Sequence, residues 1–188
     1  QPVQEVMLKM PSSTVVPPPM KPEQPLGRPI TKGTPEKQAR QEVRIKEIVE
    51  VTVGTGLYLL AREHYGLTSH TLIDHILAMN PSIKNPDLIH VKQKIKLPEM
   101  TDALLIKPSP DGAFQVHLVT RTSRSLAAHY VNNIRLEGKK IEIAPRQVSE
   151  DKIWYRVMAG PFKDWDEASR AIHEMRQQGL LAYYPADQ

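Results

Sequence analysis

The sequence predicts an α+β chain with two folded parts: a small βααβ unit, then a βαββαβ unit whose four strands form an antiparallel sheet with two helices on one face. Three observations carry this. Residues 49–98 read as strand, two short helices and strand, and residues 114–185 run twice through strand, helix and strand, with a glycine closing each helix. Nine of the chain's 17 prolines precede both parts, between Pro2 and Pro35.

That proline-rich stretch, residues 1–43, includes the run Pro17-Pro18-Pro19 and shows neither helical nor alternating hydrophobic periodicity. Proline lacks an amide donor and favours extended polyproline geometry, so a semi-rigid, disordered spacer is expected. At ~3 Å per residue where extended, it would reach on the order of 100 Å. A linker of this kind joins something upstream to the first folded part. The chain opens on Gln1, so an upstream part is expected to have been removed, and with no long apolar run in the sequence membrane attachment is not read from these residues. The absence of cysteine excludes disulfides and thiolate metal sites.

In the first unit, residues 44–98, a short alternating strand leads into Gly54-Thr55-Gly56. Leu57, Leu60, Ala61 and His64 then fall at i, i+3, i+4 and i+7, and Leu72, Ile73, Ile76 and Leu77 form a second helical stripe. Each helix is read as having one face to bury. Thr68 or Ser69 is the expected N-cap of the second, and Asn80-Pro81 ends it, because a residue before proline is pushed out of the helical region. The strand Lys94 to Leu97 closes the unit at Pro98.

Gly54-x-x-Leu57-Tyr58-x-Leu60-Ala61-Arg62-x-x-Tyr65-Gly66, Asn80-Pro81-x-Ile83 and Gln93-x-Ile95-x-Leu97-Pro98 together resemble the LysM domain, the lysin motif. That resemblance implies binding of N-acetylglucosamine-containing glycans in a shallow groove between two loops. Here those loops are Gly54, Thr55, Gly56, Leu57 and Tyr58 on one side and Asn80, Pro81, Ser82 and Ile83 on the other. Val91-Lys92-Gln93 stands where the family usually has Pro-Gly-Gln, which asks Lys92 to make a tight turn that a Cβ makes costly.

A connector, residues 99–111, ends in Pro108-Ser109-Pro110-Asp111-Gly112, and the second unit, residues 112–188, follows. Phe114 to Val119 alternates with period two, and Leu126, Tyr130, Val131 and Ile134 line one side of a helix closed by Gly138. Strands are expected over Lys140 to Ala144 and Lys152 to Ala159. A second helix opens at Asp164, an N-cap with Glu167 three residues on, and Leu180 to Pro185 makes the last strand.

Phe114-Gln115-Val116 and, more closely, Tyr155-Arg156-Val157-x-x-Gly160-Pro161-Phe162 followed by Ala168 resemble the SPOR domain of bacterial envelope proteins. The resemblance implies a ferredoxin-like fold that binds peptidoglycan glycan strands, especially those stripped of stem peptides near division sites. Alternation along the strands places Phe114, Val116, Leu118, Tyr155, Val157 and Ala159 beneath the helices. Gln115, His117, Val119, Trp154, Arg156 and Met158 then fall on the opposite, open face, joined from the last strand by either Tyr183 or Tyr184, with Tyr183 preferred. There Trp154 would stack on sugar C–H faces while Gln115 and Arg156 donate to hydroxyl and acetamido oxygens.

No nucleophile elbow, His-Glu-x-x-His, P-loop or dinucleotide fingerprint occurs, and the seven histidines are scattered. His64, His70 and His75 read as surface or boundary side chains. The expectation is therefore no catalysis, no cofactor and no metal. A βαββαβ order is shared with RNA-recognition domains, but no segment exceeds a net charge of +2, against the concentrated cation surface that tracks phosphates. The expected role is a non-enzymatic peptidoglycan-binding segment of a periplasmic, inner-membrane-anchored envelope protein serving division, envelope assembly or placement of a secretion machine. A protein–protein scaffold and a single-stranded RNA-binding module are the alternatives.

Overall fold

The computed structural model describes residues 42–134 and 136–181, all within one folded unit spanning 37–188. Residues 1–41, nearly all of the expected spacer over 1–43, and 182–188, with Tyr183 and most of the expected last strand, lie outside the described residues. Leu180 and Leu181, where that strand was expected to start, continue the turn after the last helix.

The first part has the βααβ order. Strand β1 (Ile45–Glu50) pairs antiparallel with β2 (Lys94–Pro98), and helices α1 (Leu57–Tyr65) and α2 (His70–Met79) lie between them in sequence. Helix α1 ends at Gly66, whose φ of 70° is a left-handed stop that glycine reaches without a Cβ penalty. Ser69 caps α2 by accepting from the Leu72 amide at 3.1 Å. Asn80 ends α2 and ties it to β2: its side chain donates to the Ile76 and Lys96 carbonyls and accepts from the Lys96 amide. Leu57, Leu60, Leu72, Ile73, Ile76, Ile95 and Leu97 pack as the core of this part. Lys92 adopts a φ of 68°, the left-handed turn expected of it.

The second part is a four-stranded antiparallel sheet in the order β3 (Ile106–Pro108), β4 (Phe114–Arg121), β6 (Lys152–Phe162), β5 (Lys140–Ser149). Strands β4, β5 and β6 supply most of it, with helices α4 (Arg124–Asn132) and α5 (Trp165–Gln177) on one face. Asp164 caps α5 by accepting from the Glu167 amide at 2.8 Å, while Glu167 accepts from the Lys163 amide at 2.6 Å. Val116, Val157, Ala159, Phe162, Ala127, Ile172 and Met175 fill the space between sheet and helices.

Two features depart from the expected plan. The connector is not a passive link: residues Asp102–Leu105 form a short helix, α3, and Ile106–Pro108 form β3, the edge strand beside β4. Leu104, Leu105 and Ile106 are buried in the core of the second part, so their apolar run was a core element. Strand β4 also carries a register shift between His117 and Val119, which breaks the period-two alternation. Val119 therefore joins Leu118 in the helix-side core instead of the opposite face, and Thr120 faces the other way.

Candidate functional site

The sheet face opposite α4 and α5 is not open. Helix α2 of the first part lies against it, and every residue from Thr71 to Leu77 is buried, so α2 has no solvent-facing side over that stretch. A helix buried around its whole circumference packs on more than one side, and the stripe reading, which assigned α2 one buried face, missed the second, which carries Thr71, Asp74 and His75. Trp154 is 2% exposed and belongs to the core of the first part together with Val148. It meets the His70 ring edge-on at 5.1 Å, and His70 in turn meets Tyr58 at 5.8 Å.

His117 and Met158 are buried on the same face, so these two and Trp154 are not the solvent-facing platform expected of them. Gln115 and Arg156 are half-buried. Gln115 sits beside β3, opposite Lys107, and Arg156 is drawn into the contact with α2. His75 was read as a surface or boundary side chain; it is buried, its ring 4.8 Å from that of His117. His64 does sit at the boundary, 3.0 Å from Glu47.

At the centre of the contact is Asp74, on α2, whose side chain has no exposed surface. Its carboxylate accepts from Arg156 Nε and Nη2 at 2.6 Å each and from Arg146 Nε at 2.6 Å. The Thr120 hydroxyl donates to it at 2.8 Å, and the Thr120 amide donates to Thr71 Oγ1 at 3.0 Å. With its hydrogen spent on Asp74, Thr120 can only accept from His117 Nε2, 2.9 Å away. Sheet register explains why two arginines reach one carboxylate. Arg146 lies opposite Trp154 on β5 and β6, and Arg156 is two residues farther along the same face, a diagonal neighbour.

Burial pushes the Asp74 carboxyl up, but the Arg156 hydrogen bonds and charge override it and hold the group below the usual carboxylate range. Burial lowers His117 to about 4, with Arg156 and Lys107 acting in the same direction and Asp74 against them. Burial, followed by His117 and Lys107, keeps His75 well below its ordinary value. Both imidazoles are therefore neutral at pH 7. Asp87 and Lys152 add an exposed ion pair between the two parts.

Of the loop residues expected to hold sugar, Leu57 and Ile83 are core, and Asn80 is spent on backbone ties. Gly54, Gly56, Pro81 and Ser82 are exposed, while Thr55 and Tyr58 are half-buried. Pro81 and Ile83 also line a cleft of about 780 Å³ whose other wall is the end of β5, with Arg146, joined by Arg156 from β6.

Residues 111–185 match the family model of the SPOR domain. No curated protein and no solved structure matches the chain. The SPOR domain is a peptidoglycan-binding module of envelope proteins, a binding domain and not a catalytic one. In this chain the SPOR domain takes its edge strand β3 from just before the matched residues, and its free sheet face receives α2. Sequence reasoning missed Asp74, Thr71, Thr120 and Arg146. A signal for Asp74 was present: one carboxylate in the run Leu72-Ile73-Asp74-His75-Ile76-Leu77, apolar but for it and His75, must find cationic partners if that run is buried. Among the described residues no helix is long and apolar enough to cross a membrane.

Proposed function

We propose that this chain is a non-enzymatic segment that holds a bacterial envelope protein on the glycan strands of peptidoglycan. The SPOR match over residues 111–185 carries the reading, and the lysin-motif likeness of residues 49–98 points to the same polymer. With Trp154, His117 and Met158 covered, the surfaces left for sugar are the exposed loop residues Gly54, Gly56, Pro81 and Ser82 and the cleft beside the edge strand β5, where Arg146 and, from β6, Arg156 are partly exposed. The proline-rich residues 1–43 would carry this body from a membrane anchor to the wall, in division, envelope assembly or placement of a secretion machine.

The same covering argues against single-stranded RNA as the ligand, since RNA-recognition domains stack bases on an open sheet. The test is retention of the chain on purified sacculi, before and after amidase removal of stem peptides. Retention on either material, greater on the stripped one, is expected. Retention on RNA with none on sacculi would overturn the reading.

A further inference from the structure

We infer that the cleft between α2 and β5 is a binding site for a carboxylate on the wall polymer, with Arg146 and Arg156 as its donors. The inference rests on the peptidoglycan reading above and adds a place and a chemistry to it. The cleft, about 780 Å³, falls in the size range of small-ligand sites. One wall is apolar, from Leu77, Pro81 and Ile83, and suits the C–H face of a sugar ring. The other carries Arg146 and Arg156, with Lys84 also lining the space.

The arginines are held in place before any ligand arrives. Asp74, fully buried, takes the Nε of both and Nη2 of Arg156, each at 2.6 Å. A guanidinium carries five N–H donors in a fixed plane, so both terminal nitrogens of Arg146 and Nη1 of Arg156 keep donors for a ligand. The two side chains are 28% and 26% exposed, enough to offer those donors to the cleft while their stems stay packed.

Charge points the same way. Arg146, Arg156 and Lys84 outnumber the one carboxylate lining the cleft, Glu150, and the buried Asp74, which leaves a net charge of +1. A preorganised, partly desolvated site with surplus positive charge favours an anion, and the planar fork of arginine matches a carboxylate. Peptidoglycan supplies carboxylates from two sources: the lactyl group of a muramyl sugar freed of its stem peptide, and the stem peptide itself.

The full chain is titrated by calorimetry and amide-resolved NMR with a muramyl disaccharide bearing a free lactyl carboxylate, with its methyl ester, and with a stem tetrapeptide lacking sugar. The free acid is expected to bind about tenfold or more tightly than the ester, with shifts at Leu77–Lys84 and Arg146–Glu150. Arg146→Gln, which leaves Arg156 bidentate on Asp74, is expected to erase the preference for acid over ester. Tetrapeptide binding at the same amides, lost in Arg146→Gln, would support the site and assign the carboxylate to the peptide. Equal affinity for acid and ester, shifts confined to other residues, or no binding by acid and tetrapeptide alike would overturn the inference. Because sacculus retention is measured separately, a chain that holds sacculi yet ignores the carboxylate defeats only this inference. A chain that fails to hold sacculi defeats the broader reading.

Discussion

Both faces of the SPOR sheet are covered, but by different chemistry. Beneath α4 and α5 lie Val116, Val157, Ala159, Phe162, Ile172 and Met175, an apolar layer. Beneath α2 lie Asp74, His75, His117, Thr120 and Arg156, with Trp154 at one side. Apolar burial is non-directional and hardly varies with pH, whereas a buried ion cluster depends on each partner and on protonation. The first seal belongs to the domain's own fold; the second is a docking contact whose strength can be tuned.

The largest effect is expected on the apolar face. Phe162→Ala should cost about 3–5 kcal/mol, read as a lower urea midpoint, because it opens a cavity in the sheet–helix core. On the polar face, Asp74→Ala should cost about 3 kcal/mol, the lower end for breaking a buried pair, since the abandoned arginines keep partial contact with water. If Asp74→Ala proved neutral in urea, the polar seal would be mere proximity and the contrast between the faces would dissolve.

Acid should separate the faces next. His117, lowered to about 4 in the fold, takes up a proton more readily in the unfolded chain, whose histidines titrate near 6.5. Its contribution to stability is complete above pH 6.5 and declines as pH falls toward 4. His75 acts in the same direction, and Asp74, held low, loses its contribution only at still lower pH. Arg146, Arg156 and Lys107 face the same cluster as cations. Thermal unfolding at pH 5 should therefore begin at a lower temperature than at pH 7, with the difference reduced in His117→Asn. The smallest effect is a gain: Lys92→Gly should stabilise by about 0.5–1 kcal/mol in urea, relieving a left-handed side chain at some entropic cost in the unfolded chain.

Much of the architecture was legible because its signals are local. Ser69 and Asp164 announce helix starts through side-chain acceptors that the chain places within three residues of their donors, and both caps form. The turn at Lys92 followed from a missing glycine. What escaped the sequence is non-local. Nothing in Phe114 to Arg121 signals that the ladder slips after His117, and that slip decides which way Val119 and Thr120 face. Pairing of Ile106 with Val116 recruits a stretch whose prolines read as a boundary. The covered sheet escaped for a related reason: alternation shows that a face is less apolar, but whether water or another helix meets it depends on a segment some eighty residues away, Asp74 to Arg156.

The placement of Leu104, Leu105 and Ile106 has a practical corollary. A fragment trimmed to start at residue 112 would lack the edge strand and three side chains from beneath its helices, leaving a bare trough along β4. What reads as a seam between two modules is a splice, in which the tail of one has become flooring for the other. Swapping either module for a relative's would therefore have to carry residues 99–111 along with the SPOR half.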